Sequence, residues 1–275
     1  MIRAERQGDV TCYTLTGWRN RSVKLTVNIF ELRGVLIDSG FPRAASDVSA
    51  IIERVRPRGV FITHRHEDHA GNAELVAGLG IPLTLPVATS AALRDPHPLG
   101  FYRRYTWGSP DALRSPLTPF VPNDFELRAT PGHSEDHHVV WDLETGTLFA
   151  GDLFLGVRVR VAHHNEDPRA TVRSLRMAIQ WDPGRMFDGH RGVVKTPRSA
   201  LAAKADWMDE TIARIDALTE GGHTDREILR LVSPGFDLMG AFSMGDYSRL
   251  NFVRAVQRSR SPDVRRPRGA EGLSN

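Results

Sequence analysis

The nine residues THRHEDHAG, Thr63 to Gly71, set the tightest condition on any fold this chain can adopt. They place three histidines and an aspartate within six positions, His64 to His69, directly after the apolar run GVFIT (59–63). Alternate residues of an extended strand share a face, so His64 and His66 turn to one side. Asp68 and His69 are expected at the start of the next helix, carried by AGNAELVAGLG, where the chain turns back to the same point. Three imidazoles and a carboxylate suit a borderline cation such as zinc. A hydrated loop would account for one such residue, but poorly for four at this spacing.

Three later stretches complete the set. His133 follows the strand-like FELRAT, Asp152 ends TLFAG, and His190 follows RMFD. A glycine precedes each, giving the backbone freedom to aim the ligand. Loops gathered at one edge of a sheet are where active sites are built. Between these points, strand-like and helical runs alternate. DVTCYTLTG, VKLTVNIFEL, GVLIDSG, IPLTLP, HVVWDL and GVRVRVA have strand character; 43–56, ATVRSLRMAIQW and most of 199–258 have helical spacing.

The order T-H-R-H-E-D-H, then P-G-H, G-D and G-H, resembles the metallo-β-lactamase-fold hydrolase superfamily over roughly Leu25 to Val194. The resemblance implies an α/β fold, a four-layer αβ/βα sandwich with a dinuclear metal centre between its two sheets. Carried over by position, His64, His66 and His133 hold one divalent cation, and Asp68, His69 and His190 the second. Asp152 bridges both. Zinc suits these donors, and iron or manganese fits them too. The implied chemistry is hydrolysis by a hydroxide between the two cations, with Asp68 as the catalytic carboxylate that orients it.

Within the superfamily, true β-lactamases carry cysteine where this chain has Asp152, and Cys12 lies far away in another strand. The glyoxalase II group shares the bridging aspartate. TPGHSEDHHVVWD is also similar to the P-G-H-[ST]-x-D-H stretch of small β-lactamase-like endoribonucleases, with Asp136 and His137 matching it and supporting His133. The inserted nucleic-acid domain of the RNA-processing branch has no counterpart, and VNIFEL departs from the asparagine-threonine-tyrosine pattern of the endoribonucleases. The expected activity is hydrolysis of a small, anionic ester, thioester or lactone; a phosphodiesterase or endoribonuclease and a di-iron redox module are the alternatives.

Composition sets the remaining bounds. With 40% hydrophobic and 25% charged residues, the 275-residue chain has an ordinary globular balance. No apolar run approaches the ~20 residues of a membrane span. MIRAERQGDV has no secretion-type apolar segment, and a single cysteine fits a reducing compartment, so a cytoplasmic protein is expected. The division expected is a catalytic domain over 1–198, a helical region over 199–258 and a disordered basic tail over 259–275. The tail admits a nucleic-acid contact, though a solvated tail is favoured. Segment 96–123, with six prolines, reads as a lid or as a packed surface loop. From it Tyr102 and Arg104, and from the strand expected at 156–162 Arg158, are candidates to bind substrate.

Overall fold

Two β-sheets stand face to face because most of their strands are apolar on both sides. A computed structural model describes residues 2–17, 25–159 and 161–260. The first sheet runs in sequence order: β1 (Ile2–Gln7), β2 (Val10–Leu15), β3 (Val27–Leu32), β4 (Val35–Ile37), β5 (Gly59–Phe61) and β6 (Leu83–Thr84). It is antiparallel through β4 and parallel from β4 to β6. The second has β7 (Phe125–Ala129), β8 (His138–Asp142), β9 (Thr147–Phe149), β11 (Arg185–Asp188) and β12 (Gly192–Val194), in the order β12-β11-β9-β8-β7. Between them in sequence, β10 (Ala162–His163) pairs with β13 (Tyr247–Ser248) as a separate ladder.

The alternation of β3 shows how the layers arise. Phe30 and Leu32 point between the sheets, where Phe30 meets Phe149 and Phe187 at ring separations of 5.6 and 5.5 Å. Val27 and Ile29 point outward onto α1 (Ala45–Val55) and α2 (Ala73–Gly78). The second sheet turns Val139, Trp141 and Leu148 outward in the same way. They pack on α5 (Pro168–Gln180), on α6 (Pro197–Glu220) and, past α7 (Asp225–Val232) and α8 (Leu238–Phe242), on α9 (Arg249–Arg258). The result is the four-layer αβ/βα sandwich with a helical C-terminal extension.

The helices of 199–258 bury Leu201, Met208, Ile212 and Phe252 in the same core as α5 and the second sheet. From residue 261 the basic tail lies outside the described residues. No helix among those described is long and apolar enough to cross a membrane.

One expectation needs correction. The strand expected over 156–162 is reduced to Ala162–His163, and Arg160 lies outside the described residues. Leu155 (φ 49°) and Gly156 (φ 109°) break the extended path, and the Arg191 guanidinium lies against Gly156. Segment 96–123 contains the short helix α4 (Phe101–Thr106), after α3 (Val87–Arg94), and is pinned by buried Trp107, Leu113 and Phe120.

Candidate metal centre

Loops at one edge of the two sheets bring the seven expected residues together. His64 and His66 follow β5; Asp68 and His69 lie in a turn before α2 rather than in the helix, which begins at Ala73. His133, Asp152 and His190 follow β7, β9 and β11. The turn 66–70 closes through His69 N and Ala70 N, both donating to His66 O. Glycine is required at two of these corners. A Cβ at Gly189 would lie 2.7 Å from His69 Cε1, and Gly151, at φ 49°, has His137 Nε2 2.8 Å from where a Cβ would stand.

The donor atoms form two groups around one carboxylate. His64, His66, His133 and Asp152 are one, and Asp68, His69 and His190 the other. His66 Nδ1 is 3.1 Å from His64 Nε2 and 3.0 Å from His133 Nε2. Asp152 spans the groups, with Oδ2 3.2 Å from His133 Nε2 and Oδ1 3.1 and 3.4 Å from the Nε2 atoms of His69 and His190. Asp68 Oδ2 is 3.4 Å from His190 Nε2. Asp152 Oδ1 is buried and makes no hydrogen bond. Converging nitrogens and an orphaned carboxylate oxygen are the arrangement a cation satisfies, and the N and O donors are those of zinc-type sites. The residues fit the implied metals.

Outer contacts fix each ring. Asp38 Oδ1 accepts from Thr63 N at 2.8 Å and from Thr63 Oγ1 at 2.9 Å, while its Oδ2 lies 2.7 Å from His69 Nδ1. Thr63 Oγ1 in turn reaches His64 Nδ1 at 3.0 Å. His190 Nδ1 donates to Thr26 O at 2.6 Å, and Asn28 Nδ2 holds the same loop through Gly189 O at 3.1 Å. Such partners leave the inward nitrogen free to ligate. Burial, with neighbouring imidazoles, holds His64 and His66 well below the usual imidazole range, so both stay neutral. Against the cost of burial, His69 and His190 hold the Asp152 carboxyl well below its usual range.

His137 serves Asp152 rather than His133: Asp152 N donates to His137 Nε2 at 3.0 Å. Burial and His133 push the His137 imidazole down to about 3, keeping it the neutral acceptor this contact needs.

Two cavities open beside the centre. The smaller, about 180 Å³, is lined by His133, Asp152, Arg158, Glu166, Lys204 and Met208. The larger, about 540 Å³, is bounded by His66, Glu67, Arg103 and His163, facing Pro96 and Leu99. Arg158 is therefore at the centre's edge. Arg104 is exposed and lines neither cavity. The α4 arginine on this side is Arg103, paired with buried Glu67 between two ligands. Tyr102 is buried against Phe242 and Tyr247, and burial plus the Asp68 charge push its phenol up to about 12.

Sequence reasoning missed Asp38, Asn28 and Lys204. Lys204 reaches in from α6 and donates to Leu153 O at 3.0 Å and Phe154 O at 2.5 Å, just after Asp152. Asp38 had a sequence signal, an aspartate closing the strand GVLID before Ser-Gly; the others had none.

The family model described as "Metallo-beta-lactamase superfamily" matches residues 27–190. The chain is 28% identical over 188 residues to the beta-lactamase-like protein 2 homolog of Drosophila melanogaster, covering 60% of this chain and 57% of that protein. It is 33% identical over 150 residues to a hydroxyacylglutathione hydrolase of Methylobacterium sp. (strain 4-46), covering 54% and 53%. It thus spans little more than half the length of either relative. Among solved structures, a metallo-beta-lactamase family protein from Thermus thermophilus superposes with TM-score 0.66 at 18% identity, over 91% of this chain and 92% of that one. The DIM-1 metallo-beta-lactamase gives 0.58 at 16% identity, over 76% and 97%. These similarities extend to the fold.

Proposed function

Since its family match takes in more than half of its residues, the chain belongs to the metallo-beta-lactamase superfamily, and from that premise we propose that it is a metal-dependent hydrolase of a small ester, thioester or lactone. The observation that carries the reading is the pair of donor groups converging on Asp152, whose buried Oδ1 lacks a hydrogen bond. We assign His64, His66 and His133 to one divalent cation, Asp68, His69 and His190 to the other, and Asp152 to both, with zinc as the metal. When bound, the cations supply Lewis acidity, which acidifies water and polarises the scissile carbonyl.

The chain's own residues do the rest. Asp68 accepts a hydrogen bond from the attacking water and aims it. Asp38 and Thr26 O keep His69 and His190 from swinging. Arg158, which lines the smaller cavity with Asp152, holds an anionic group of the substrate, and Tyr102 is a candidate donor, its phenol kept protonated by burial and the Asp68 charge. The larger cavity has the size of a small-molecule site. The likeness to a hydroxyacylglutathione hydrolase puts a thioester first among the substrates.

The test is zinc-reconstituted protein against esters, thioesters, lactones, phosphodiesters and single-stranded RNA. Metal-dependent turnover of a small acyl compound, lost in Asp68→Ala, is expected. Cleavage of RNA without any small acyl substrate would select the endoribonuclease reading instead. Uptake of iron with electron transfer would select the redox one.

A further inference from the structure

The β10–β13 ladder gathers a third set of donors apart from the seven. We propose that His163, His164 and Asp246 form a separate divalent-cation site of the zinc type, tying the C-terminal region to the wall of the larger cavity. One ligand atom from each lies within 4.8 Å of the other two. His163 pairs with Tyr247 in the ladder, which sets Asp246, the preceding residue, beside it; His163 Nε2 is 3.8 Å from Asp246 Oδ1. That spacing is too long for a hydrogen bond and fits two donors each about 2.0–2.2 Å from one ion.

The groups are otherwise free for it. The His163 ring is buried and packs on Tyr247, with ring centroids 5.2 Å apart. Its Nδ1 has only a 3.4 Å contact from Asn165 N, weak enough to give way to the tautomer that presents Nε2. Among the described residues no hydrogen bond occupies the Asp246 carboxylate, which lies in a partly buried position against Gly100. His164 leaves the strand and folds its ring back to 4.0 Å from that of His163. Being exposed, it can rotate to close the set. Two imidazoles and one carboxylate leave open positions on the ion, facing a cavity that also reaches His66. The His163 and His66 rings are 6.5 Å apart, so an ion here narrows the approach to the main centre.

The experiment counts zinc bound at saturation by equilibrium dialysis and elemental analysis, for the whole chain, Asp246→Asn and His164→Ala. The unmodified chain should hold one equivalent more than either variant. The same difference should persist in an Asp152→Ala background, which separates this site from the main centre whatever that centre binds. Cobalt(II) in place of zinc should show a visible absorption for the extra equivalent, absent in both variants. Equal counts in all three proteins, or a loss in one variant alone, overturns the three-ligand site.

Discussion

At the scale of single residues, Asp38 has an influence that its distance from the ligands in sequence hides. It sits at φ 66°, a left-handed conformation that is rare outside glycine. Both oxygens are used, one on Thr63 and one on His69, so two ligand-bearing loops share one anchor. Asp38→Ala should weaken metal retention by about 10–100-fold, the range seen when an outer partner of a ligand is removed. Competition with a chelator measures this, and unchanged affinity would show the rings are held without Asp38. The seven candidate ligands were legible because donor type, the close spacing of His64, His66, Asp68 and His69, and the glycine before each of the other three are local facts. Asp38 is 31 positions from His69, and Lys204 is 51 from Leu153. Roles like theirs exist only once the fold decides which residues face each other, and a buried lysine on a helix reads in sequence as a solvated one.

Among elements, the turn between β3 and β4 ties the two sheets. Arg33, at φ 51°, lays its guanidinium 4.8 Å from the Phe125 ring centre and pairs with Asp142 Oδ1 at 2.5 Å. Against the cost of burial, Arg33 and Thr145 hold the Asp142 carboxyl below its ordinary 3.8. Asp142 therefore binds its proton more weakly folded than unfolded. Its contribution is full above pH 3.8 and is lost as pH falls through the lower folded value. With Arg33 still 28% exposed, Asp142→Asn should cost about 1–2 kcal/mol near neutral pH. Denaturant titrations at pH 7 and pH 3 should show that difference shrinking in acid; a constant difference would assign the loss to packing. Strands and helices with clear periodicity were readable, including β3, β5, α1 and α6. The expected strand at 156–162 failed because alternation of valine and arginine imitates a strand, while Leu155 and Gly156 turn the backbone away from any partner. That turn leaves Arg158 lining the smaller cavity with His133 and Asp152, so Arg158→Ala should raise KM for anionic substrates more than for neutral ones, and Arg104→Ala should do so less. The reverse ranking would return the anchoring role to α4.

For the whole molecule, the proposed metals join what the sequence keeps apart. His64, His66, Asp68 and His69 come from the first sheet's side, and His133, Asp152 and His190 from the second. The interface between the sheets holds the apolar layer around Phe30, Phe149 and Phe187, the Arg33–Asp142 pair and the Asn28–Gly189 bond, with the donor atoms gathered at its edge. A cation bound by both halves stabilises only the state in which they are docked. For one site at about 100 times its Kd, that linkage contributes about 2.7 kcal/mol. A domain of this size gains about 2–4 °C in Tm per kcal/mol, so zinc should raise the melting temperature by roughly 5–10 °C over the stripped protein. In Asp152→Ala, which removes the carboxylate shared by both donor groups, the gain should be markedly smaller while the stripped proteins melt closer together. Calorimetry on the four samples decides it. A zinc effect of equal size in both proteins would mean that the metal binds within one half and does not hold the sandwich shut.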